Sequence, residues 1–211
     1  MVQQNVNREE LRIYALVPDI TQTGGTKKYF PMGRGSASGT LALGYATEEQ
    51  KDITTSQSQY TINKGAWTIQ LTGKSDVSDN VQNYITMNSL RSNTDNLILD
   101  ILIVFEYIHK QGEEGEKTAF ALKGKAVAPL TSLGGDGQAK IQYDATLSTS
   151  GDLVKGSVTL NEAALAGVYN ETDVYEEAAF TEGEIFTNLD PKQEAVMSNR
   201  SGYTPKSKEE N

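Results

Sequence analysis

The chain has 211 residues, of which 37% are hydrophobic, with no cysteine and a formal net charge of −9. Absence of cysteine excludes disulfides, thiolate metal sites and cysteine nucleophiles. An acidic chain without an arginine cluster also argues against tight nucleic-acid binding through phosphate neutralisation. The charge is uneven: residues 171–211 hold 4 basic and 10 acidic side chains, a balance of −6, which leaves −3 for residues 1–170. We read residues 1–170 as one β-rich domain and 171–211 as an acidic, partly flexible extension. Met1 to Glu10 is polar and lacks a signal-peptide pattern, so cytoplasmic synthesis is expected. The longest apolar run, Leu97 to Ile108, is too short to insert in a bilayer as a helix.

Leu11 to Val17 reads as a strand stopped by Pro18. In Thr21 to Gly39, glycines and Pro31 interleave with Lys27, Lys28, Tyr29, Phe30 and Arg34. This composition predicts a long loop, and its adjacent aromatics mark it as a candidate interaction arm. Thr40–Ala46 and Trp67–Thr72 read as strands, the second with Trp67, Ile69 and Leu71 on one face. The stretch between them is polar. Val77, Val81, Tyr84 and Ile85 fall on one helical stripe, with Asp76 or Ser78 as the expected cap and an end near Arg91.

Leu97 to Ile108 is almost unbroken in apolarity, which predicts a strand covered on both faces. His109 to Lys117 is a charged, glycine-punctuated turn. Phe120, Leu122, Gly124 and Ala126 then alternate with Ala119, Ala121, Lys123 and Lys125 up to Pro129, and Gly134–Gly137 provides the next reversal. Ile141, Tyr143, Ala145 and Leu147 alternate with polar residues, the two-residue period of a half-buried strand. After Ser150-Gly151-Asp152, read as a turn, Val154, Gly156, Val158 and Leu160 keep one face, so the pair is expected to be a hairpin. Together these elements predict a mainly β fold, an antiparallel β-sandwich or barrel with one flanking α-helix and long loops.

Chemistry is sparse. His109 is the single histidine and has no nucleophile or paired acid beside it in sequence, so it reads as a solvated turn residue. Glu113, Glu114, Glu116 and the pair Glu176-Glu177 lack the alternating ligands of a calcium loop and read as solvated charge. The glycines at 33–35 and 134–137 lack the flanking residues of a phosphate cradle. Trp67 lies on an apolar strand face, where core packing outweighs ligand stacking. Neither catalytic residues nor a metal or cofactor site are expected, and no enzyme is inferred.

In order, Phe30-Pro31-Met32-Gly33-Arg34-Gly35-Ser36-Ala37-Ser38-Gly39, the segment Thr47 to Thr55, the Trp67–Gly73 strand, a helix, and Gly151-Asp152 with Gly156 form a layout. Over residues 10–165 this layout resembles the major tail tube proteins of long-tailed bacteriophages. The resemblance implies a structural virion protein whose copies assemble into stacked, hexameric rings enclosing a conduit for DNA ejection. The implied partners are further copies of the chain, other tail proteins and, in passage, DNA. The implied location is the virion tail, after synthesis in the host cytoplasm. It further implies that Leu97–Ile108 and Phe120–Val127 close a barrel edge to edge across subunits, and that the arm carrying Lys27, Lys28, Tyr29, Phe30 and Arg34 reaches a neighbour. Asp100, Glu106 and Asp144 become candidate lumen carboxylates. Lysine should avoid such a lumen, so Lys123, Lys125 and Lys140 must point elsewhere or pair with acids. The alternatives are another tail or contractile-machine component, such as a tube under a sheath or a baseplate ring, and a carbohydrate-binding β-sandwich using Trp67.

Overall fold

A computed structural model describes residues 11–19, 25–32, 36–51, 58–76, 78–111, 116–134, 141–166, 173–183 and 196–197. Most of these residues lie in one antiparallel sheet. Its path begins with β11 (Tyr175–Glu176), β2 (Lys27–Pro31), β1 (Leu11–Pro18) and β7 (Ile98–Gln111), and continues through β8 (Lys117–Val127), β10 (Gln142–Thr159), β6 (Thr68–Lys74) and β3 (Ser36–Ala42). β9 (Leu130–Gly134) and β12 (Phe180–Glu182) pair with β10, and β13 (Val196–Met197) pairs with β7. The path is open, since among the described strands β3 and β11 do not pair.

The apolar run forms β7, and alternation along it supplies both faces of the sheet. Leu99, Ile101 and Ile103 enter an inner core with Ala15, Phe30, Ile69, Leu122, Tyr143, Ala145 and Leu147. Leu102 and Val104 enter an outer core with Tyr14, Leu16, Tyr29, Ala119, Ala121 and Val158. β8 is therefore also covered on both faces over part of its length, where simple alternation was expected. The single long helix, α1 (Asn80–Leu90), places Val81 and Ile85 into the inner core. Its cap is Asp79, whose carboxylate accepts from the Gln82 amide at 2.9 Å, in place of the expected Asp76 or Ser78. Asp76 instead accepts from the Ser78 amide and hydroxyl, an Asx turn leading into the helix. Val77 lies outside the described residues.

Gly151 does not reverse the chain. β10 runs through it, pairing with β8 on both sides of an irregularity between Ser150 and Val154. The positive φ of Gly151 (80°) serves this bulge, and Leu153 packs over Gly124, where an added Cβ would sit 2.4 Å from its Cδ2. The hairpin partner of β10 is the β8–β9 run, broken at Pro129 and joined to β10 through 135–140, outside the described residues.

The outer core is roofed by the chain after β10. The short helix α2 (Glu162–Leu165) and residues 173–183 cross the outer face, with Tyr175 buried and Phe180 seated against Gly156. Asp173 to Gly183 is thus built into the fold, although composition places it in the extension. Among the described residues no helix is long and apolar enough to cross a membrane.

Candidate assembly surfaces

Tyr29 and Phe30 are not the tip of an arm. Lys27–Pro31 is a paired strand between β1 and β11, which turns Tyr29 into the outer core and Phe30 into the inner core, both buried. Lys27 is exposed, and Lys28 meets Glu176 at 2.7 Å, tying β2 to the roof segment. Arg34 lies outside the described residues.

A hairpin set apart from the sheet lies further on. β4 (Tyr45–Lys51) and β5 (Ser58–Lys64) pair with each other and, among the described strands, with no other. They continue β3 and β6 past a joint at Leu43-Gly44 on one side and Gly65-Ala66-Trp67 on the other. Below the joint Ala42 faces Thr68, and above it Tyr45 faces Lys64, so the second side holds one more residue than the first. That offset is a β-bulge, which bends and re-aims a strand. Sequence reading takes Thr47 to Gly65 as a polar segment between two strands, and so misses this hairpin.

The β7–β8 pair also sits elsewhere than expected. Each strand is hydrogen-bonded on both sides, β7 by β1 and β8, and β8 by β7 and β10. It occupies the middle of the sheet and has no free edge there for another subunit. The open edge belongs to β3, whose described pairing is with β6 alone.

Beside that edge the described residues leave the outer face bare. On β10, Asp144, Thr146 and Ser148 share the face that carries Val158 further along, beneath the roof. Their cross-strand partners are Thr72, Gln70 and Thr68 on β6, with Thr40 and Ala42 beyond on β3 and Ser132 on β9. Across β8 and β7 the same face continues as Val127 opposite Ile98 and Lys125 opposite Asp100. Hydroxyls and amides predominate. The charges balance, with Asp100 and Asp144 against Lys125 and Lys74. Asp144 accepts from the Ser132 hydroxyl at 2.5 Å, and hydrogen bonds from Ser132 and Thr72 hold its carboxyl below the usual range.

Lys123 is under the roof, its ammonium 5.9 Å from the Tyr29 ring centre and 5.7 Å from that of Phe180. Lys125 stands opposite an acid in register, and Lys140 lies outside the described residues.

Glu106 is not on the bare face. It belongs to a buried polar cluster that pins the roof. Arg12 reaches Glu106 at 2.6 Å through Nε and Asp173 at 2.5 Å through Nη1. Asp173, fully buried, also accepts from the Tyr14 hydroxyl at 2.9 Å and from Asn161 Nδ2 at 3.0 Å. Asn161 Oδ1 meanwhile caps α2 by accepting from the Ala164 amide. His109 is buried as well, its Nδ1 donating to the Glu106 carbonyl at 2.7 Å, so it is not the solvated turn residue its charged neighbours suggest. Burial raises the Tyr14 and Tyr175 hydroxyls well above the ordinary phenol range. Among the described residues no group of three or more His, Asp or Glu side chains is placed to hold a metal ion.

No family model matches the chain, and no curated protein matches it. Among solved structures, the chain is similar to the tail of an empty GTA particle with C6 symmetry, at 14% identity, covering 71% of this chain and 97% of that one, with a TM-score of 0.43. It is similar to the SPP1 tail tube at 13% identity, covering 72% of this chain and 78% of that one, with a TM-score of 0.44. It is also similar to a protein of the sheath–tube complex of the PVC extracellular contractile injection system, at 16% identity, covering 74% and 95%, with a TM-score of 0.40.

Proposed function

We propose that this chain is the tube subunit of a bacteriophage tail, a structural protein that assembles into stacked hexameric rings enclosing a conduit for DNA. The observation that carries the proposal is the combination of an unsupported hairpin, β4–β5, with an open edge at β3 beside a bare polar face. An isolated two-stranded hairpin is marginal in water and gains stability when a further surface covers it. An open edge strand likewise presents unpaired amides and carbonyls to another chain. Both features are satisfied when a second copy packs against the first, with the hairpin as the reaching element and β3 as the lateral contact. The bare face then lines the conduit, where Asp100 and Asp144 set against Lys125 and Lys74 leave little net attraction for a polyanion. Tail proteins at either end of the tube would be further partners.

Negative-stain microscopy of the concentrated chain tests this reading. Six-fold rings or tubes about 100 Å wide or less are expected from six domains of this size. A chain that stays monomeric at high concentration, alone and with the other tail components, would overturn it.

A further inference from the structure

The root of the hairpin carries a second feature that the assembly reading does not require. Between the sheet and the hairpin, the backbone bond that bridges the joint runs from the Gly65 amide to the Gly44 carbonyl at 2.7 Å. On the sheet side, Trp67 is fixed twice to Thr149, its amide donating to the hydroxyl at 2.9 Å and its carbonyl accepting from the amide at 2.8 Å. On the arm side the described residues are open: Leu43 and Tyr45 are 44% and 57% exposed, and Ala66 is exposed too. Gly44 adopts φ +67°, and a Cβ there would stand 2.3 Å from the Ala66 carbonyl oxygen, so the two sides cross at backbone contact. Beneath the crossing lies a cleft of about 260 Å³ lined by Gly65, Ala66, Trp67, Thr149, Gly151, Asp152 and Leu153. The cleft lies where the pairing of β10 with β6 ends at Ser148 and Thr68, next to the irregularity between Ser150 and Val154.

We propose that Gly44 and Gly65-Ala66 form a joint about which the hairpin turns as a unit, and that the cleft over Gly151 is the clearance into which its root moves when a neighbour takes hold of the arm. A root whose residues, Leu43 to Ala46 and Gly65-Ala66, are exposed opens at low free energy, whereas Trp67 below it is anchored. This inference rests on the arm being an assembly element, but the joint itself is tested in the isolated chain.

Hydrogen exchange of the free protein should show the amides of 45–51 and 58–64 exchanging together and faster than those of 36–42 and 68–74. Equal protection on both sides of the joint overturns the proposal whatever the chain assembles into. Trp67, the single tryptophan, lines the cleft, so its emission should shift on assembly. Gly151→Asn adds a side chain at the cleft wall: asparagine tolerates a positive φ, and a Cβ at Gly151 meets nothing within 4 Å. The variant should melt like the parent while losing the emission shift and the assembled form. If Gly151→Asn assembles with the parental shift, the clearance is refuted and the tube reading stands. If the parent forms no rings, the tube reading fails while the exchange pattern still decides the joint.

Discussion

Truncating the carboxylate that pins the roof, Asp173→Ala, should be costly for a change more than 150 residues from the start of the chain. Asp173 is fully buried and accepts from Arg12, Tyr14 and Asn161 at 2.5, 2.9 and 3.0 Å. Removing one member of a buried ion pair costs about 3–5 kcal/mol, because the remaining charge is left without compensation. Here Glu106 stays 2.6 Å from Arg12 Nε, so the guanidinium keeps one counter-charge and the lower end applies, about 3 kcal/mol. In a domain of this length that lowers the melting temperature by roughly 6–12 °C. Urea unfolding followed by far-UV circular dichroism measures the loss, and hydrogen exchange across 173–183 reports whether the roof lifts first. Lys28→Ala, which breaks the exposed pair with Glu176, is the control and should leave the unfolding midpoint nearly unchanged. A loss below about 1 kcal/mol for Asp173→Ala, with exchange in the roof unchanged, would refute the reasoning.

Gly156→Ala places a Cβ 2.3 Å from the Thr181 carbonyl oxygen and 2.4 Å from the Phe180 ring, and should destabilise by about 1–3 kcal/mol in calorimetry while loosening 180–182. Tyr14, Tyr29 and Tyr175 are raised by burial, so each favours the protonated folded state. Their contribution is complete below the unfolded phenol value of about 10 and is lost as pH rises above it; tyrosinate absorbance for these three should appear only together with unfolding. Asp144 is held below its ordinary value by Ser132 first and Thr72 second, so stability from this site is present above the ordinary carboxylate range and lost as pH falls through the depressed value. Ser132→Ala should raise the Asp144 carboxyl in an NMR titration, and an unmoved curve would remove Ser132 as the cause. Leu147→Ala in the inner core should cost about 2–5 kcal/mol by urea denaturation.

The legible parts of the fold were those where burial imposes a period on one strand. β7 announces itself because both of its faces are covered, and the first half of β10 because Tyr143, Ala145 and Leu147 enter one core while Asp144, Thr146 and Ser148 do not. Helix α1 shows its stripe, although Asp79 rather than its neighbours caps it. What stayed hidden was set by contacts between distant segments. A glycine at 151 has the chemistry of a reversal, yet β8 offers pairing on both sides, so the chain bulges and continues. Tyr29 and Phe30 look like anchors seeking a partner surface beside glycines, but the inner core takes Phe30 and the outer core beneath the roof takes Tyr29. Glu106 and Asp173 are 67 positions apart and share one arginine, an arrangement that no local spacing reveals. The β4–β5 hairpin was missed for another reason: Glu48, Glu49, Gln50, Gln59 and Asn63 make its stretch read as a polar connection.

The extra residue at the root of that hairpin has a consequence for how such a protein can change. A one-residue slip exchanges the two faces of a strand. Deleting one residue at Gly65-Ala66 would therefore turn over one strand's side chains from Lys64 outward while leaving Ile69, Leu71 and the inner core where they are. The joint separates two inheritances in one chain. The body keeps its packing under such a change, while the hairpin can be rewritten face by face without disturbing it.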